Sequence, residues 1–117
     1  MTAPHDRPTA AELVDAVREW VVRSQIEGEI EPNVFHARVA ANMLAIVERE
    51  LALGPRHAEA HAARLQQLGV ADDAELAAAI RNGMLDQRID EVRRLVAESV
   101  RDKLAVANPR YLDRREP

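Results

Sequence analysis

Apolar residues recur every three to four positions along this chain instead of alternating, which is the period of helices and not of strands. Leu13, Val17, Trp20, Val21 and Ser24 share one helical face. Phe35, Val39, Met43, Ile46, Val47 and Leu51 make a wider one, and Ile89, Val92, Val96, Val100, Leu104 and Ala107 form a third stripe. Boundary signals divide these faces into elements. Thr9-Ala-Ala-Glu12 reads as a capping box that starts the first helix, and Glu27-Gly-Glu-Ile-Glu-Pro32 reads as the connection after it. A second helix is expected over 33–53, with Asn33 as its cap and Gly54-Pro55 as a stop followed by a new start. A shorter third helix over 55–68 would bury Ala58, Ala62, Leu65 and Leu68 and stop at Gly69. Asp72-Asp-Ala-Glu75 is another capping-box pattern, opening a fourth short helix that ends at Asn82-Gly83. The last long helix follows Asp86 and ends at Asn108-Pro109, because a residue before proline avoids the helical region.

These elements predict an all-α, single-domain antiparallel bundle of about five helices, three long and two short, spanning 9–112. Residues 1–8 are expected to be extended or disordered and 113–117 to form a polar tail. Composition agrees: alanine supplies 21 of the 117 residues, and 47% of the chain is hydrophobic. A formal charge of −4 with no basic stripe argues against nucleic acid, and ranks a helix-turn-helix reading of 55–83 last. The absence of cysteine removes thiol chemistry and suits a reducing cytoplasm. Without an uninterrupted apolar run, no membrane segment is expected, and the chain reads as cytoplasmic.

Candidate chemistry comes from polar residues that fall inside apolar stripes, since burying an unpartnered polar group costs about 1–3 kcal/mol. His36 and Glu50 project into the sector of Met43 and Val47, with Arg38 and Asn42 beside its Phe35 edge. Lys103, the sole lysine, falls near the centre of the last stripe. The expectation is a polar contact of Glu50 with Lys103, joined by His36, between the second and last helices; snorkelling of Lys103 is the other reading. His57-Ala-Glu-Ala-His61 places two imidazoles one turn apart, but no third ligand is in view, so no metal is expected and an exposed polar face is the reading. No glycine-rich phosphate loop or nucleophile elbow occurs, and no cofactor is expected.

Two strings are the least generic in the chain: Phe35-His-Ala-Arg-Val-Ala-Ala-Asn-Met-Leu-Ala-Ile-Val-Glu-Arg-Glu-Leu51 and Val100-Arg-Asp-Lys-Leu-Ala-Val-Ala-Asn-Pro-Arg-Tyr-Leu112. In this order and in a chain of this size, they resemble a family of small bacterial all-helical proteins of unknown function, encoded beside aminoglycoside-phosphotransferase-like kinases and acyl-CoA dehydrogenases. The resemblance runs from Arg7 to Leu112. It implies an accessory subunit of such a kinase, acting on hydroxyacyl-CoA in acyl-CoA catabolism and not itself catalytic. No catalytic, cofactor or metal residues carry over. Of the matching residues, His36, Arg38, Asn42, Lys103, Arg110 and Tyr111 have no obvious packing role, and with Glu50, Arg101 and Asn108 they are the candidates for partner binding or for a functional polar cluster. Arg38, Arg101 and Arg110 are suited to meeting carboxylates or phosphates. Asn108 to Leu112 reads as a C-terminal hook. Val22 and Ile26 point away from the first stripe and are candidates for a partner face. Two alternatives stay open at this level: a self-associating helical protein, forming a homodimer without an enzymatic partner, or a small enzyme using a buried His/Glu/Lys cluster.

Overall fold

The computed structural model describes Pro4 and residues 7–115, so the expected extended segment 1–8 lies mostly outside the described residues. Thr9 caps α1 (Ala10–Val21) through the full capping box: the Glu12 amide donates to its hydroxyl and its own amide donates to the Glu12 carboxylate. A single wide π-turn, Val22–Ile26, follows α1 before the connection. Asn33 then caps α2, which continues without a break from Val34 to Gln67.

That continuity corrects the stop expected at Gly54-Pro55. A glycine ends a helix by adopting positive φ, and only Gly28, Gly69 and Gly83 do so here. Gly54 stays helical and buried, and the later helix Ile89–Ala107 holds this one on both sides of Pro55: Arg49 donates to the Val106 carbonyl before it, and Arg64 pairs with Asp102 after it. Pro55 removes the amide that would meet the Leu51 carbonyl, and both residues lie on the exposed side of the helix.

The stop at Gly69 is real. With φ of 78° it lets its own amide bond Gln66 and the Val70 amide bond Leu65, while Val70 packs on the core. Gly83 ends α3 (Asp73–Arg81) in the same way, through Ile80 and Ala79. Asp72 caps α3, but its box is displaced by one position: Glu75 reaches back to the Ala71 amide. A 3₁₀ turn, Asp86–Arg88, leads into α4 (Ile89–Ala107), and Arg88 reaches the Gln67 carbonyl at the end of α2. Asn108 ends α4 as expected, and the anticipated hook is a short helix, α5 (Pro109–Arg115), that continues into the expected tail.

The fold is the expected all-α arrangement, five helices among the described residues packed on one another and laid out along α2 as a spine. At 1.5 Å per residue, α2 is about 51 Å long, and it sets the long dimension of a molecule measuring 59 × 32 × 24 Å. α1 packs on its first half and α4 on its second. The core lies at one end, where Leu65 and Leu68 of α2 meet Leu76 and Ala79 of α3, Leu85, and Val92 and Leu95 of α4. Outside that cluster, the buried apolar residues among those described are Leu13, Val47 and, where the end of α4 meets α1, Val106. The wide stripe expected on the second helix is therefore trimmed: Phe35 is 71% and Leu51 72% exposed, because one helix layer cannot cover both edges. The last stripe is rotated by about one position. α4 buries Val92, Leu95, Ser99 and Val106 and leaves Val96 and Val100 exposed.

Candidate functional site

The densest polar cluster joins α2, α3 and α4 beside the core. Arg64 of α2 donates to Ser99 Oγ at 2.8 Å and pairs with Asp102 at 3.0 Å and Glu98 at 3.3 Å, all on α4. His61, one turn earlier, sits 2.7 Å from Ser99 Oγ through Nδ1 and 2.8 Å from Asp73 Oδ1 through Nε2. His57 completes the row, its Nε2 lying 3.8 Å from Asp102. Arginine only donates, so Ser99 Oγ accepts from Arg64; in the tautomer with hydrogen on Nε2, the Ser99 hydroxyl donates to His61 Nδ1 and Nε2–H donates to Asp73. His57 and His61 are both buried, which corrects the exposed face expected for them.

Sequence reasoning missed this cluster by one step around the helix. The buried row of α2 is His57, His61, Leu65 and Leu68, with Arg64 alongside, whereas the expected row used Ala58 and Ala62. The signal was present as spacing. Val92, Leu95, Ser99, Asp102 and Val106 alternate by three and four, the seam of packed helices, but two polar members hid it.

An aspartate–imidazole–serine chain is the arrangement used in acyl transfer. A cavity of about 180 Å³ is lined by His61, Asp73 and Ser99 themselves, by Arg64 and Lys103, and by apolar residues including Leu65, Leu76 and Leu95. Ser99, however, lies inside α4, where backbone amides are committed to the helix and supply no oxyanion hole. Its oxygen is also held by Arg64. Bonds of this kind fasten three helices together.

The expected candidates are spread over three places. Glu50 of α2 and Lys103 of α4 line one cavity of about 230 Å³ with Leu13, Ile46 and Val106, so the structure brings this pair together. His36 does not join them. It lies 14 residues before Glu50, about 21 Å along α2, and belongs to the cap, where its amide bonds Asn33 Oδ1 at 2.8 Å and its Nδ1 accepts from the Asn33 amide at 2.9 Å. The three-membered His/Glu/Lys cluster is thereby reduced to two. Arg38 and Asn42 are exposed on the side of α2 that Arg49 shares, and Arg49 fixes the end of α4 by its 2.8 Å bond to Val106. Just beyond that bond, Asn108 closes α4 and accepts from the Tyr111 amide, with Arg110 exposed at the start of α5. Arg101 is exposed on α4. Of the two partner-face candidates, Ile26 is exposed and Val22 half-buried.

One carboxyl near this end is strongly perturbed. The Thr9 amide, and after it the Arg7 guanidinium, hold Glu12 down to about 2. No helix among the described residues is long and apolar enough to cross a membrane.

An elongated all-α protein with a one-ended core and an inter-helix polar clamp is the class this geometry defines. The chain belongs to the family of the domain of unknown function DUF6285, which matches residues 29–111 and so takes in α2, α3, α4 and the start of α5. No curated protein and no solved structure matches the chain.

Proposed function

We propose that the chain is an accessory, protein-binding subunit, and that its partner is an aminoglycoside-phosphotransferase-like kinase acting on hydroxyacyl-CoA, with catalysis belonging to the kinase. The observation that carries the binding role is surplus surface. The molecule exposes 8256 Å², whereas a compact monomer of 13.0 kDa exposes about 6,300 Å². Its radius of gyration is 18.2 Å, against about 13 Å for a compact chain of this length. A helical protein with this much surface left over is suited to being one part of an assembly. The kinase comes from the resemblance carried by Phe35–Leu51 and Val100–Leu112. The residues assigned to the contact are the exposed Arg38, Asn42, Asn108 and Arg110 with Tyr111, along the edge that Arg49 ties to the end of α4.

Co-expression of the tagged chain with the neighbouring kinase tests this. The expected result is a complex that survives purification and hydroxyacyl-CoA phosphorylation that depends on it. Arg38→Ala with Arg110→Ala should weaken the complex at least about tenfold, the loss of one or two charge-assisted contacts. Absence of a complex together with an unchanged kinase rate overturns the proposal.

A further inference from the structure

α1 lies antiparallel on the first half of α2. Leu13 meets Ile46 and Glu50 around one cavity, and Val17 and Trp20 meet His36, Val39 and Met43 around another. In an antiparallel pair, the residue following each contact residue turns by about 100° to the same side on both helices. Val14 follows Leu13, Val21 follows Trp20, Leu44 follows Met43 and Leu51 follows Glu50, and all four are exposed. The residues preceding the same contacts, Glu12, Glu19, Asn42 and Arg49, turn to the other side. One side of the two-helix layer thus carries four exposed apolar side chains, with Arg18, which follows Val17, among them, and the other carries Glu12, Glu19, Asn42 and Arg49 together with Phe35, which precedes His36.

We propose that the apolar side of the α1–α2 layer is the seat of a second copy of this chain. Ala37, Leu44 and Leu51 are seven apart, as are Val14 and Val21, the spacing of a seam that packs against other helices. The occupant must offer two apolar-sided helices, and the α1–α2 layer of another copy offers them. A two-fold axis lying between the layers stacks them into a four-helix bundle and buries the same residues on both copies. The areas agree. The surplus over a compact monomer is about 1,900 Å², while a stable interface takes about 800 Å² from each partner. A second copy thus fits within the surplus and leaves the polar side, with Arg38 and Asn42, for another protein. This inference stands apart from the kinase reading, since it concerns the purified chain alone.

Light scattering on the eluting full-length chain tests it. The expected mass is twice 13.0 kDa. Leu44→Glu with Leu51→Glu places charges on two side chains already exposed in one copy, so the far-UV spectrum should be retained while the dimer dissociation constant rises at least about a hundredfold. A chain that stays at 13.0 kDa from micromolar to millimolar concentration overturns the proposal. A folded double variant that remains dimeric overturns it too, by moving the contact elsewhere. A face covered only in complex with a different protein does the same.

Discussion

Arg64 ties more of this molecule together than any other side chain described, reaching Ser99, Glu98 and Asp102 from a half-buried position. Removing it leaves Ser99 with His61 and the partly buried Asp102 with His57 at 3.8 Å, and bonds to charged groups are worth about 1.5–3 kcal/mol each. Arg64→Ala should therefore lower unfolding stability by about 2–3 kcal/mol in denaturant titration. Lysine carries its donors on one nitrogen and cannot span the three partners that Arg64 reaches through separate nitrogens, so Arg64→Lys should recover less than half of the loss. Glu12 supplies the pH dependence at this scale. Its carboxyl is ordinarily at 4.5 and is held down to about 2, first by the Thr9 amide and then by Arg7. A depressed carboxyl contributes fully above its unfolded value, and the contribution fades as pH falls through its folded one. The start of α1 should accordingly stay ordered at pH 4 and loosen towards pH 2. A carboxyl titration followed by NMR should give Glu12 a midpoint of about 2, with Arg7→Ala raising it only in part, because the backbone bond is the larger cause.

At the scale of elements, the helix through Pro55 is the instructive case. Interior proline costs about 3 kcal/mol in a helix, offset in part by the entropy it removes from the unfolded chain. Pro55→Ala should therefore stabilise the protein by about 1–2 kcal/mol, seen as a higher denaturation midpoint with an unchanged slope; a loss of stability would mean that the proline bend is required for α4 to dock. The helix starts were legible because their chemistry is local: Thr9, Asn33 and Asp72 cap within three residues of themselves. Gly69 and Gly83 were legible for the same reason. Gly54-Pro55 was misread because its outcome is decided by α4, from more than 40 residues away. The site divides along the same line. Glu50 and Lys103 could be paired from their stripes, but the His57, His61, Arg64 and Ser99 clamp could not, because polar residues that satisfy one another look like surface until both helices are in register.

At the scale of the molecule, stability is graded along the spine. The core end packs three helices around Leu68, Val92 and Leu95, whereas α1 is laid on α2 with Leu13 and Val47 buried and is met by α4 only at its start, through Val106. Burial contributes roughly 25 cal/mol per Å² of apolar surface, so the thinner end holds less free energy per residue and should open first. Trp20, the sole tryptophan, lies between α1 and α2, and its indole Nε1 is buried without a hydrogen-bond partner. It reports this end alone, while far-UV ellipticity reports every helix. At protein concentrations low enough to keep single copies apart, the two signals should separate in urea, with Trp20 fluorescence changing at the lower midpoint. Amide exchange should agree, with α1 faster than Val92 to Ser99 by at least about tenfold, or 1.4 kcal/mol. Coincident transitions would show that α2 couples the two ends into one cooperative unit despite the thin packing at α1. Higher protein concentration should bring the two midpoints together, because a second copy on Val14, Val21, Leu44 and Leu51 completes the core that the α1 end lacks.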